Sequence, residues 1–314
     1  MSENDQMELY KKHRPRKLSE VVGQEHITKQ LIDQLKRGAV PHTILLSGPS
    51  GCGKTTIARI LRRRLKCSDS DFQELNCSDF RGIEMVRDIR SRCMLSPIDG
   101  ECRIWLIDEA QLLTKDAQNA FLKLLEDTPS HVYFFIATTE PQKLLVTIKT
   151  RATEFKVKTL NDKQMAELLL SVCGKEELTV TEEVRDKVIE SAEGSPRKAL
   201  VLLNQVMGLK DETEQLASIA AGMASKDAIE LARILIKPRV QWGDVAKVLS
   251  SLDDLDNQAE SIRYLVLAYM SSIALKGGKI AGRACEVIAC FSRNFFDSRK
   301  AGLILACWDA VNPG

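Results

Sequence analysis

The stretch from Gly48 to Thr55, Gly-Pro-Ser-Gly-Cys-Gly-Lys-Thr, satisfies the spacing G-x-x-x-x-G-K-[ST], and few stretches this short restrict a fold so severely. The pattern serves its purpose only where a buried strand ends and a helix begins, because the N–H groups of the loop and of the first helical turn must converge on one anion. Both flanks are in place: Thr43 to Ser47 is an apolar run that reads as a buried strand, and Thr56 to Leu65 reads as a helix. In that setting Gly48, Ser50, Gly51, Cys52, Gly53 and Thr56 form the wall of a polyphosphate cradle, with Gly51 and Gly53 letting the backbone wrap it. Lys54 reaches the outer phosphates and the Thr55 hydroxyl ligates Mg²⁺. A plain glycine turn would need neither the lysine nor the spacing.

From residue 43 to residue 157 strand and helix patterns alternate. Strands are expected at Thr43–Ser47, Phe72–Asn76, Arg103–Ile107, Val132–Ala137 and Glu154–Val157, with helices at Ile83–Cys93 and Ala117–Leu125 between them. Such alternation predicts a parallel α/β sheet, whose ligands sit at the carboxyl ends of its strands. After Asn161 the strand signals vanish. Asn161–Val172 and Thr181–Met207 have helical periodicity, with Asn161 and Thr181 as N-caps, and Leu216–Val311 forms a second all-helical stretch broken at Lys237-Pro238 and Gly277-Gly278.

The composition leaves room for this plan. A chain of 314 residues, 44% hydrophobic and 28% charged, has enough apolar mass for two or three domain cores. Its net charge of +2 does not by itself announce nucleic acid, although basic residues gather early, at Lys11–Lys17 and Arg59–Lys66. The second group also suits the end of a helix, where cations complement the dipole. Nine cysteines without a C-x-x-C pair argue against zinc and against a disulfide framework, and fit a reducing, cytoplasmic setting. The first residues lack the apolar core of a signal peptide. Tyr264–Leu275, the longest apolar helix candidate, is too short to cross a bilayer, so no membrane role is expected.

Ile104-Trp-Leu-Ile-Asp108-Glu109 is an apolar strand ending in two adjacent carboxylates. At that position Asp108 can hold Mg²⁺ and Glu109 can orient or deprotonate a water aimed at the γ-phosphate. The pair points to hydrolysis, and the lack of an Asn-Lys-x-Asp guanine reader favours ATP over GTP. Thr138 and Thr139 close the next strand, either as plain β-formers or with a hydroxyl on the attacking water. Arg197, in Gly194-Ser-Pro-Arg, either reaches a phosphate or is a surface charge.

Several of these segments together resemble one family. Leu9 to His26, the phosphate loop, Asp108-Glu109, Ala137 to Lys143 and Val146 to Arg151 are similar to the ATPase subunit of bacterial sliding-clamp loaders, the tau/gamma type of the AAA+ superfamily. Glu74 to Ile83 resembles instead the small subunits of replication factor C. The resemblance runs over residues 8 to 207, and the last hundred residues share only helical character and length with the family's collar.

The resemblance implies an AAA+ parallel-sheet P-loop domain over residues 1–158, a helical lid over 159–215 and an all-α collar that oligomerises over 216–314. It implies ATP and Mg²⁺ as ligands, with the Tyr10–Gly23 segment against the adenine and Arg14 and Val22 among its contacts. Thr139 takes the place of the first sensor and Arg197 that of the second. Arg151 takes the place of an arginine finger acting on ATP held by a neighbouring subunit. The expected partners are a sliding clamp, further loader subunits in a homo- or hetero-oligomer of pentameric type, and primer-template DNA. Met94 and Leu95 stand where the family contacts the clamp, with core packing as the other reading. Arg81 stands as a DNA-phosphate contact or a helix-surface charge.

The chain departs from the family in three ways. Thr150-Arg151-Ala152 replaces Ser-Arg-Cys, which keeps the guanidinium. Gln111 stands where His or Asp usually follows Asp-Glu-Ala, which bears on DNA-coupled regulation. The bacterial four-cysteine zinc module is missing, since Cys67 and Cys77 cannot complete it. Two other functions are weighed against a hydrolysing loader subunit: a scaffold subunit that does not hydrolyse, and an AAA+ helicase motor of the branch-migration type.

Overall fold

The computed structural model describes residues 8–209, 211–221, 226–252, 254–278 and 280–312. It divides into two compact units: one runs through the sheet to Leu168 and includes Glu193–Lys198, and the other comprises Leu169–Ala192 and the chain from Ala199 onward.

The first unit is built on five parallel strands, β1 (Thr43–Ser47), β2 (Phe72–Asn76), β3 (Arg103–Asp108), β4 (Val132–Thr138) and β5 (Thr153–Lys156). Their order across the sheet is β2-β3-β4-β1-β5. Strands and their order on the chain match the periodicity, with boundaries shifted by a residue at β3, β4 and β5. The chain leaves β1 for the far edge and steps back past it to reach β5, so the carboxyl end of β1 lies at a switch in strand order, where such sheets open a crevice.

Side chains alternate across the sheet as a period of two demands. Ile44, Leu46, Ile104, Leu106, Phe135 and Ala137 face one layer, with Ile27 and Leu31 of α2 (Glu25–Lys36) and Ile57, Ile60 and Leu61 of α3 (Lys54–Arg64). Leu45, Trp105, Ile107, Phe134 and Ile136 face the other. Helices α4 (Ile83–Cys93), α5 (Lys115–Glu126) and α6 (Val146–Arg151) cover that side through Val86, Ile89, Phe121, Leu124 and Ile148. β1 is buried along its whole length, whereas β2, at the edge, is half-exposed.

Helix α3 starts two residues earlier than periodicity suggests, because Lys54 and Thr55 already belong to its first turn. A short helix α1 (Leu9–Lys12) and α2 are additions to the sequence reading.

Helix α7 (Asp162–Glu176) begins with the expected cap, the Gln164 N–H donating to Asn161 Oδ1 at 2.9 Å. The stretch from Thr181 to Met207 is two helices, α8 (Glu182–Ala192) and α9 (Pro196–Val206). Gly194 interrupts it with φ +75°. Thr181 caps α8, its Oγ1 accepting from Val184 N at 3.3 Å.

The second unit is helical throughout its described residues, with α10 (Glu212–Ala221), α11 (Lys226–Leu235), α12 (Trp242–Ser251), α13 (Leu255–Lys276), α14 (Ala281–Cys290) and α15 (Arg299–Val311) after α9. Its apolar core gathers round α13, against which α10, α11, α14 and α15 pack. No helix among the described residues is long and apolar enough to cross a membrane.

Candidate nucleotide site

The loop after β1 is shaped by glycines in backbone conformations that residues with a side chain rarely adopt. At Gly48, φ is +144° and a Cβ would lie 2.1 Å from the Val157 carbonyl oxygen; at Gly53, the N-cap of α3, φ is +103°. No side chain caps α3, so the N–H groups of its first turn point at the loop interior with the positive end of the helix dipole behind them. The buried Lys54 ammonium donates to the carbonyls of Gly48 at 2.8 Å and Pro49 at 2.9 Å. Burial pushes its pKa down, while the nearby Glu109 and Asp108 charges pull it back up. Those bonds to neutral carbonyls are ones that a phosphate can replace with stronger, charge-assisted contacts.

The end of β3 supplies the acidic wall. Asp108 Oδ2 accepts from the Thr55 hydroxyl at 2.9 Å, and its Oδ1 accepts from the Glu109 N–H at 3.0 Å. Two hard oxygens, a hydroxyl and a carboxylate, therefore converge beside the phosphate cradle. That donor set suits Mg²⁺, which keeps waters and phosphate oxygens in its remaining positions. Glu109 sits in the left-handed region at φ +53°, a strained state for a side chain of its kind and one that clusters at functional sites. Behind them Cys77 is fully buried, and burial together with the Asp108 and Glu109 charges pushes its thiol to about 12, leaving it protonated.

A second group closes over the loop. Ser195 Oγ donates to the Ser50 carbonyl at 3.4 Å, and the Arg197 N–H donates to the Gly51 carbonyl at 3.4 Å. The guanidinium carbon of Arg197 lies 5.8 Å from the Tyr10 ring centroid. Arg14 is half-buried, and its pKa is lowered by burial and then by the charges of Arg59 and Arg197, with Glu74, the ion-pair partner of Arg59, opposing them. Val22 is half-buried in the same segment. Periodicity gave no notice of the neighbouring Gln24. It is buried, donating to the Lys158 carbonyl at 2.7 Å and accepting from the Lys158 N–H at 3.1 Å, which pins the segment to the chain after β5.

Comparison with known proteins bears on the same residues. Residues 23–161 match the family described as DNA polymerase III, delta subunit. DNA polymerase III subunit gamma/tau of Mycobacterium tuberculosis is 35% identical over 240 residues, covering 69% of this chain and 42% of the relative. Subunit tau of Escherichia coli is 32% identical over 240 residues, 70% of this chain and 37% of its own. The chain belongs to the clamp-loader family of AAA+ proteins. It spans less than half the length of these two relatives. Among solved structures, the Thermotoga maritima RuvB Holliday junction branch migration motor superposes with a TM-score of 0.54 at 19% identity, covering 83% of this chain and 91% of that one. At that identity the likeness is one of fold.

Of the remaining residues singled out in the chain, all but Thr139 lie apart from the cradle. Arg151, exposed at the end of α6 and not on a loop, donates to Glu126 and to the Thr147 carbonyl, neither of which belongs to the phosphate site. Arg81 is exposed just before α4. Met94 and Leu95 are 57% and 59% exposed, with Ile98 at 69% beyond them, which is incompatible with core packing. Thr139 stands beside the cradle with its hydroxyl held by Gln111 at 2.9 Å.

Proposed function

We propose that the chain is an ATP-hydrolysing subunit of a sliding-clamp loader, with residues 1–158 as the ATPase core, 159–215 as a lid and 216–314 as an oligomerising collar. The observation that carries the reading is the 2.9 Å hydrogen bond between Thr55 and Asp108, which brings the two oxygen ligands together beside Lys54 and Glu109. Gly48, Ser50, Gly51, Cys52, Gly53 and Thr56 would cradle the phosphates, and Tyr10, Arg14 and Val22 would take the base. Bound Mg²⁺, held by Thr55 and Asp108, would neutralise charge that grows on the phosphate oxygens.

In this reading Glu109 accepts a proton from a water whose oxygen bonds to the γ-phosphorus as the bond to the bridging oxygen breaks, giving ADP and phosphate. Thr139 and Arg197 contact the γ-phosphate from the same chain. Arg151 reaches ATP on the next subunit, which accords with its lying away from its own cradle. Met94 and Leu95 present an apolar plug to the clamp. Primer-template DNA is bound through its phosphates, with Arg81 as one contact. The setting is intracellular and the assembly is pentameric, as in the family. The scaffold alternative has no use for Lys54, Thr55, Asp108, Glu109 and Arg151 together. A branch-migration motor of the kind considered would carry a winged helix, whereas no strand follows β5 among the described residues.

The test is a pair of variants and their mixture, with assembly checked by mass. Lys54→Ala is expected to lose both ATP binding and turnover. Arg151→Ala is expected to bind ATP and lose about a thousandfold in rate. Mixing the two restores part of the turnover, because one class of interface then pairs an intact cradle with an intact finger. Near-normal turnover by Arg151→Ala alone would refute a shared site.

A further inference from the structure

Gln111, which lies in the turn after β3, makes hydrogen bonds whose direction is fixed by backbone donors, so the arrangement can be read atom by atom. The Glu140 N–H donates to Thr138 Oγ1 at 3.1 Å, so the proton of Thr138 must point elsewhere, and it goes to Gln111 Oε1 at 2.8 Å. The Thr139 N–H donates to the same Oε1 at 3.3 Å. With two donors on the carbonyl side, the amide cannot be flipped. Its NH₂ group therefore faces the other way, with one proton on Glu109 Oε2 and the other on Thr139 Oγ1 at 2.9 Å. Every hydrogen-bonding position of the amide is used.

The consequences lie in what is left over. Thr139 accepts from Gln111, so its own O–H proton remains for a further acceptor. Glu109 receives Gln111 on one oxygen, so its other oxygen remains for a proton from water. The first is the polarity needed to meet a phosphate oxygen, and the second is the polarity needed by a base.

We infer that Gln111 is a positioning residue that couples Thr139 to Glu109, so that a γ-phosphate taken by the threonine hydroxyl and a water taken by the glutamate are set by one amide. The inference rests on the ATP-hydrolysing reading of the site. It gives a function to the residue beside the cradle that departs from the family's usual choice. Thr138, fully buried at the end of β4, is the anchor that fixes the amide's orientation.

Two near-isosteric variants of the full chain test it. Gln111→Met keeps the shape and loses all four bonds, and Gln111→Glu keeps the shape and replaces both N–H donors with an acceptor facing Glu109. Both are expected to lower kcat about tenfold to a hundredfold, through misplacement of the base. Affinity for ADP should stay at the wild-type value, while the preference for a non-hydrolysable triphosphate over ADP drops about tenfold. In Gln111→Met combined with Thr139→Val, kcat should fall no further than in Gln111→Met alone, because a broken relay cannot be broken twice.

A merely structural glutamine gives different results: ADP binding and melting temperature fall together, and the two substitutions multiply. Either result overturns the proposal. A wild-type chain that binds ATP but never turns it over, with or without clamp and DNA, refutes the hydrolase reading. The relay then stands on binding alone: an equal loss of triphosphate preference in Gln111→Met, Thr139→Val and the double variant supports it, and an unchanged preference overturns it.

Discussion

Strand β3 carries a charged network at each end, and the two are built on opposite plans. At its amino end Arg103 meets Asp71, a carboxylate with no exposed surface that accepts from Ser68 Oγ at 2.7 Å, from the N–H groups of Ile98, Asp99 and Gly100 at 2.8, 3.1 and 3.0 Å, and from Arg103 at 3.2 Å. A carboxylate has about four lone-pair positions, so Asp71 is saturated. At its carboxyl end Asp108 accepts from Thr55 and from the Glu109 N–H, and Glu109 accepts from Gln111, which leaves both side chains with unused lone pairs. Saturation fixes a loop in place. Lone pairs left open on a rigid strand end are what a metal ion or a water can use.

The comparison is broken most severely at the carboxyl end. Glu109→Gln is expected to cut ATP turnover by about a hundredfold or more, the usual worth of a positioned general base. Its melting temperature should hold or rise, since a charge crowded beside Asp108 is removed from a strained position. A variant that keeps turnover and melts several degrees lower would make Glu109 a second structural carboxylate, and the contrast between the two ends would disappear.

Asp71→Asn should behave in the opposite way. The new NH₂ group would face donors, and the buried guanidinium of Arg103 would lose its partner, at a cost of about 3 kcal/mol read from the urea midpoint. ADP affinity of the folded protein should not change. The acid limb gives the same test a sign. Burial pushes the Asp71 carboxyl up, but the Ile98 N–H, the Ser68 hydroxyl and the Gly100 and Asp99 N–H groups outweigh it and hold the group well below the usual carboxylate range. A depressed folded pKa adds stability that is complete above the unfolded value of about 3.9 and fades as pH falls toward the folded one. The gap between wild type and Asp71→Asn should therefore be constant near neutrality and narrow below about pH 4. A gap that widens in acid contradicts this account.

The same contrast explains what could be read from the sequence. The carboxyl-end site lies on contiguous motifs: Gly48 to Thr55 and Asp108-Glu109 are short stretches whose chemistry follows from spacing along one strand or one loop. The strands were legible because Thr43–Ser47, Ile104–Ile107 and Val132–Ala137 are short apolar runs set between helical patterns. The amino-end network was not legible, because Asp71, just before β2, meets Ile98 and Arg103, on the stretch that runs into β3, only once β2 and β3 pair. Gln24 was missed for the same reason, its partner Lys158 lying 134 positions away. Gln111 was visible as a departure from family habit, but the direction of its bonds needs the N–H groups of Thr139 and Glu140 in space. In the helical unit Glu214 is buried against Arg233 and Arg263 against Glu260, pairings between charges that in sequence look like solvated helix faces.

The smallest expected effect probes which member of the amino-end pair matters. By charge alone, removing Arg103 should cost as much as removing Asp71, since a buried ion pair loses a partner either way. The geometry says otherwise. Arg103 makes the longest of the five bonds to Asp71, and four donors remain to carry the carboxylate charge without it. Arg103 also holds a buried Nε without a partner, and its other bonds run to the carbonyls of Arg92 at 2.8 Å and Ser96 at 3.1 Å. Arg103→Met keeps the buried methylene stem and should cost only about 1 to 2 kcal/mol, the worth of the lost bonds, and less than Asp71→Asn. Because the carbonyls of Arg92 and Ser96 bracket Met94 and Leu95, the variant should show faster amide exchange there than wild type does, while the phosphate loop keeps its protection. If Arg103→Met instead costs as much as Asp71→Asn, the guanidinium and not the backbone holds the Asp71 charge, and the amino end of β3 is an ordinary buried salt bridge.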